Sequence, residues 1–170
     1  QGRVGVIAES NHELTTQGTA QDARKRNYSV NQLPKIAELF SLPAPMSKPL
    51  TAIIVGAGNR ALTYAAYALH HPDKLTIVGV ADPAEFRRER AMKRFNLTVD
   101  QTFLGADELA SHPRMADFII NGTMDQDHVP TSLPLVELGY DLLLEKPFAT
   151  SEYEVRQLVG AARRHGSKIS

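Results

Sequence analysis

The stretch Leu50 to Ala61, Leu-Thr-Ala-Ile-Ile-Val-Gly-Ala-Gly-Asn-Arg-Ala, narrows what this chain can fold into more than any other. Ala52 to Val55 is an apolar run with the length of a strand buried on both faces, as in a parallel sheet. The run ends at Gly56, and Gly56-x-Gly58-x-x-Ala61 opens a helical pattern. Strand, glycine turn and helix in that order start a dinucleotide-binding βαβ unit. Gly56 permits the tight turn out of the strand, and Gly58, lacking Cβ, lets a pyrophosphate approach the backbone. Ala61 allows the helix to pack near the strand. The free N–H groups and positive dipole end of the helix then face the phosphates.

Glycine turns after strands are common, so the context decides. Leu75 to Val80 reads as a second buried strand, and Asp82 follows it, 26 residues after Gly56. An acid near that spacing holds the adenosine ribose hydroxyls in such units. Asp82-Pro83 is also a good helix start, so a cap for the next helix is the other role open to Asp82. The full order of strand, turn, helix, strand and acid favours the nucleotide.

Strands and helices go on alternating after Thr51, which predicts a Rossmann-type doubly wound parallel sheet over residues 50–170. Arg60 to His70 has a small apolar face suited to a sheet, and His70 and His71 read as a helix end, not a metal pair. Pro83 to Phe95 reads as a charged helix whose arginines form a solvated face with charge pairs along it. Arg87 or Arg88 could instead meet a 2′-phosphate, but Asp82 would repel that group, so NAD is favoured over NADP. Thr102 to Leu104 and Ala116 to Ile120 read as the third and fourth strands, with a helix around Asp107 to Ser111 between them. Pro130 to Gly139 is the next helix, Tyr140 to Leu144 the fifth strand, and Lys168-Ile169 the start of a sixth. Ser151 to Arg164 reads as a helix with Ser151 as N-cap and Glu154 completing a capping box.

Residues 1–49 differ, and read as an N-terminal extension or linker. Val4 to Ala8 could form a short strand, and Gln32 to Leu42 has apolar residues at helical spacing. Arg24-Lys25-Arg26 is a solvated surface more readily than a nucleic-acid patch, and Pro43, Pro45 and Pro49 punctuate a linker. An arm on a partner subunit and the remainder of a preceding domain are both open.

Composition sets limits on function. With 42% apolar and 22% charged residues and zero formal net charge, the chain is a soluble globular type with no pull on nucleic acid or anionic membrane. Cysteine is absent, which excludes disulfides, thiolate metal sites and a cysteine nucleophile, and fits a reducing compartment. No run is long enough to span a bilayer and nothing resembles a secretory signal, so a cytoplasmic protein is expected. The chain opens on Gln1 and stops at Ser170 inside an expected strand, as a piece of a longer protein would.

Ligands of an open α/β sheet sit outside the carboxyl ends of its strands. Three such ends carry polar residues here: the glycine turn, Thr123 to His128, and Glu145-Lys146-Pro147. A charged pair directly after Leu142-Leu143-Leu144 faces a polar crevice or forms an ion pair, since burying it alone is costly. The order GxGxxA, Ala81-Asp82-Pro83, Thr123-x-x-x-x-His128 and Glu145-Lys146-Pro147-x-Ala149 resembles the Gfo/Idh/MocA oxidoreductase family. The resemblance covers residues 50–170, and Glu145 to Ala149 is its most distinctive piece. Where that family has Thr-Pro-Asn-x-x-His, this chain has Thr123-Met124-Asp125-Gln126-Asp127-His128, keeping the spacing but losing Pro and Asn.

The resemblance implies an NAD(P)-dependent oxidoreductase acting on a carbon of a sugar, a cyclitol or a related compound. Gly56, Gly58, Asn59 and Arg60 would contact the pyrophosphate region, and Asp82 the adenosine ribose. Thr123 and His128 would lie by the nicotinamide half, with Glu145 near its ribose. Pro147 would stiffen the turn, a cis peptide being one way to do so. Lys146 would face the reacting carbon as the catalytic cation, steadying a developing alkoxide or joining a proton relay. The resemblance also implies a second α/β domain carrying most substrate contacts and an Asp/His acid–base pair, and a homo-oligomer in the full-length form. That second domain is absent from these residues, so no useful turnover is expected from them alone. Two other readings stay open: a non-catalytic regulator that senses the dinucleotide, and an NAD-dependent glycosidase. A lysine retained at the hydride site favours the enzyme.

Overall fold

Ala52 to Val55 are at most 2% exposed, as a central strand covered on both faces must be. The computed structural model describes residues 48–170. The strand expected at Val4 to Ala8, the Arg24-Lys25-Arg26 triplet and the helix expected at Gln32 to Leu42 lie outside the described residues. Five strands form one sheet: β1 (Leu50–Val55), β2 (Leu75–Ala81), β3 (Thr102–Phe103), β4 (Phe118–Asn121) and β5 (Asp141–Leu144). Their order is β3-β2-β1-β4-β5, and every pairing is parallel. The sixth strand expected at Lys168-Ile169 is present as a single parallel bridge, Ile169 to Leu142.

The period of two along β1 sends its side chains into two different cores. Ile53 and Val55 pack with Ile119, Leu135, Leu142 and Leu158, whereas Ala52 and Ile54 pack with Ala61, Leu62, Ala65 and Ala91. The second set, which also includes Ala68, comes from α1 (Asn59–Ala65), α2 (Tyr67–His70) and α3 (Glu85–Phe95). The first belongs to the face covered by α4 (Ala106–Ala110), α5 (His128–Glu137) and α6 (Glu152–His165). Helices thus cover both faces, the doubly wound arrangement expected from the alternation. Each fully buried isoleucine contributes about 1.5–3 kcal/mol.

Local details depart from the sequence reading in three places. The helix expected from Arg60 to His70 is divided at Ala66, where Leu69 N–H reaches back only three residues, to the Ala66 carbonyl at 3.0 Å. Helix α5 begins at His128, not Pro130, because a 3-10 turn at Asp125–Asp127 runs straight into it. The capping box at Ser151 is half formed. Ser151 Oγ accepts from Glu154 N–H at 3.3 Å, but the Glu154 carboxylate turns to the N–H and hydroxyl of Thr150, both at 2.8 Å. Thr150 offers two donors where Ser151 N–H offers one, and these bonds lower the Glu154 pKa.

Asp117 ties β1 to the entry of β4. Its carboxylate accepts from Thr51 N–H at 2.7 Å and from Thr51 Oγ1 at 2.8 Å. These backbone and hydroxyl donors hold its carboxyl below the usual carboxylate range. Protons therefore bind the unfolded chain more readily than the folded one. The resulting stability is fully present above the ordinary carboxylate pKa and is lost as pH falls through the lowered folded value. Because Asp117 is exposed, Asp117→Asn should remove only about 1 kcal/mol or less, shown by denaturant melts as a smaller loss of stability between about pH 7 and pH 3.

Candidate functional site

The sheet builds outward from β1 in two directions, to β2 and β3 on one side and β4 and β5 on the other. Ligands of such sheets bind outside the carboxyl ends where the order reverses, here between β1 and β4. Two of the expected residues meet at that point. Gly56 has φ +76°, and a Cβ on it would lie 2.7 Å from Thr123 N and 2.8 Å from Thr123 Cα. Both the backbone angle and the neighbouring loop demand glycine there. Ala61, fully buried, packs against the residue after β4: a Cβ on Gly122 would stand 2.7 Å from the Ala61 Cβ.

Gly58 is different. Its φ of −68° and ψ of 175° suit any residue, and a Cβ there would meet only the Gly122 carbonyl oxygen, at 3.8 Å. Nothing among the described residues requires glycine at 58, and the space before it is open to a ligand. No side chain among the described residues caps α1, so its first-turn N–H groups face the same space, with the exposed Asn59 and Arg60 beside them.

Asp82, 1% exposed, joins the glycine turn to the start of α3. Its Oδ2 accepts from Ala57 N–H at 2.8 Å and lies 3.6 Å from Arg87, while Oδ1 accepts from Ala84 N–H at 2.8 Å. The arginines of α3 are more than a solvated face. Arg88 donates to the Asp82 carbonyl at 2.7 Å, and Arg90 reaches the Ala57 carbonyl at 2.8 Å and Asn59 Oδ1 at 3.2 Å. A tight turn aims carbonyls outward, and these guanidinium groups satisfy them. Nothing in the sequence marked Arg90 for this.

At the end of β4, the fully buried Asn121 organises the next loop. Its Oδ1 accepts from Thr123 Oγ1 at 2.8 Å and Thr123 N–H at 3.2 Å, and its Nδ2 donates to Thr131 Oγ1 and Ser132 Oγ, both at 2.9 Å. Thr123 lines a crevice of about 690 Å³ with Pro83, Leu104, Gly105, Asp127 and Thr131, a size suited to a small-molecule site.

Glu145 follows β5 and is 9% exposed. It accepts a hydrogen bond from the Tyr64 hydroxyl and sits 3.6 Å from Arg60 Nε, so α1 and the β5 turn are joined. That bond to the carboxylate raises the Tyr64 pKa, with burial and the carboxylate charge adding to it, so Tyr64 stays a donor. The Lys146–Pro147 peptide is cis. Lys146 and Pro147 are exposed, and among the described residues Lys146 makes no ion pair. His128 is fully buried, with Nδ1 2.7 Å from the Pro147 carbonyl oxygen. A carbonyl only accepts, so Nδ1 carries the proton.

Every expected site residue therefore lies around the carboxyl ends of β1, β2, β4 and β5, with His128 closed off beneath the others. Tyr64, Arg90, Asn121 and Gly122 are the structural residues of the site that sequence reasoning missed. Tyr64, four residues after Arg60 on one helix face, carried a legible signal. Among the described residues, no cluster of His, Asp and Glu could hold a metal ion, and no helix is long and apolar enough to cross a membrane.

A parallel doubly wound sheet, with a glycine turn at its switch point and an acid after its second strand, defines a Rossmann-like domain. The family model described as "Oxidoreductase family, NAD-binding Rossmann fold" matches residues 50–170, and the chain belongs to that Gfo/Idh/MocA family. A comparison with curated proteins gave no match. Among solved structures, the WlbA dehydrogenase from Chromobacterium violaceum, in complex with NADH and UDP-GlcNAcA, matches with a TM-score of 0.67 and 21% identity, over 76% of this chain and 36% of that one. GenD2 from gentamicin A biosynthesis, in complex with NAD, matches at 0.64 and 24%, over 74% of this chain and 34% of that one. The aldose–aldose oxidoreductase from Caulobacter crescentus, complexed with glycerol, matches at 0.62 and 16%, over 72% and 38%. The chain thus spans little more than a third of each of these structures.

Proposed function

We propose that residues 50–170 are the dinucleotide-binding domain of an oxidoreductase that uses NAD, in preference to NADP, on a hydroxyl or carbonyl carbon of a sugar, a cyclitol or a related compound. Residues 1–49 are then a separate N-terminal extension. The observation that carries this is the open space before Gly58, where no contact among the described residues calls for glycine, in a site that also presents Lys146, which makes no ion pair among those residues. The dinucleotide, when bound, supplies or takes the hydride. The chain's own residues hold and orient it: the N–H groups at the start of α1 for the pyrophosphate, and Asp82 at the adenosine end. The Asp82 carboxylate disfavours a 2′-phosphate, which supports NAD. Lys146 offers an ammonium donor to a substrate oxygen as that oxygen gains negative charge. The NADH, NAD, UDP-GlcNAcA and glycerol bound by the similar structures support the cofactor and the carbohydrate-like substrate.

Calorimetric titration of the chain with NAD and with NADP tests this. NAD is expected to bind more tightly than NADP, and Asp82→Ala to weaken NAD by about tenfold, or 1.4 kcal/mol. Heat from neither dinucleotide would sink the proposal.

A further inference from the structure

Among the described residues Lys146 makes no ion pair, yet the residues on both sides of it are tied down. Before it, Glu145 accepts from the Tyr64 hydroxyl, and Glu145 N–H donates to the Asn121 carbonyl at 2.9 Å. After it, the Pro147 carbonyl accepts from His128 Nδ1 at 2.7 Å. Proline has no N–H, so that carbonyl is the polar backbone handle on this side of the turn. His128 is fully buried, and its Nε2 has no partner among the described residues. An unpaired buried nitrogen disfavours the folded state, and a leucine at this position would avoid it. Histidine therefore has little to offer the fold alone. Among the described residues its one side-chain bond goes to the lysine turn.

We infer that Tyr64 and His128 are positioning residues that clamp the backbone on either side of Lys146, so that its ammonium is presented at one place. The inference rests on the reading of Lys146 as the substrate-facing cation beside the cofactor. His128 acts through the Pro147 carbonyl, its ring being closed off from the crevice. Tyr64 acts through Glu145 and couples the turn to α1, the helix that starts at the glycine turn. A lysine side chain has several rotatable bonds, and displacement of a reacting group by about 1 Å can cost about 100-fold in rate, so a fixed backbone origin matters.

The test uses the whole chain and measures acylation of Lys146 by acetic anhydride, read by peptide mass spectrometry with and without NAD, beside NAD affinity and melting temperature. In the parent chain, NAD should slow acylation at Lys146 about fivefold or more. His128→Asn keeps a donor at the Nδ1 position and should retain that protection. His128→Leu and Tyr64→Phe should lose most of it, although Tyr64→Phe, at a partly exposed position, still melts as a folded chain. If the histidine variants fail to fold, Tyr64→Phe decides. Full protection in folded His128→Leu or in Tyr64→Phe overturns the clamp and leaves the cofactor reading standing. NAD binding without protection in the parent chain overturns it as well. No NAD binding at all removes the reading beneath it, and the clamp with it.

Discussion

Gly56→Ala and Gly58→Ala should fail in different ways. Gly56→Ala should destabilise the chain by about 3 kcal/mol, lowering its melting temperature by roughly 10 °C. It combines a left-handed backbone angle, φ +76°, with a Cβ placed 2.7–2.8 Å from backbone atoms of Thr123, which no side-chain rotation relieves. Gly58→Ala should change stability by about 1 kcal/mol or less, since its Cβ would meet only one oxygen, at 3.8 Å. The same Cβ would occupy the space in which a pyrophosphate approaches the backbone. Affinity for NAD should therefore fall by about tenfold or more. Thermal melts and calorimetry on the two variants separate the glycine required by the fold from the one kept for the ligand. Gly58→Ala binding NAD as the parent does would contradict the assignment.

Asn121→Leu should have an effect of similar size on stability. Leucine is close in volume, but it withdraws an acceptor from Thr123 and a donor from Thr131 and Ser132 in a fully buried position. Leaving such groups unpaired costs about 1–3 kcal/mol each, and hydroxyls that turn to new partners recover part of it, so a net loss of about 3 kcal/mol is expected. Urea unfolding measures it. Because Asn121 holds Thr123 against Gly56, NAD binding by the folded fraction should weaken too. Asn121→Leu with parental stability would mean that the loop is held by other contacts.

The elements were largely legible, and for local reasons. A four-residue apolar run ending in glycine, Asp-Pro after the next strand, Gly139 after α5 and Ser151 before α6 each state a backbone preference within a few neighbours. The errors were local too: Glu154 chose Thr150 over Ser151 because two donors outbid one. The site's internal wiring was much less legible. Tyr64 and Glu145 are 81 positions apart, Ala57 and Arg90 33, and His128 and Pro147 19. No spacing rule joins residues at those separations.

By itself the sequence determined the alternation of strands and helices, the glycine turn, the acid after β2 and the Glu-Lys-Pro turn after β5. Each depends on backbone preference and hydrophobic period, which act over a few residues. Only the tertiary structure decided that β4 lies beside β1, and β5 beside β4. That order brings Gly122 onto Ala61, Thr123 onto Gly56 and Glu145 onto Tyr64. Close packing between distant segments is set by strand neighbours, and only the folded sheet determines which strands are neighbours.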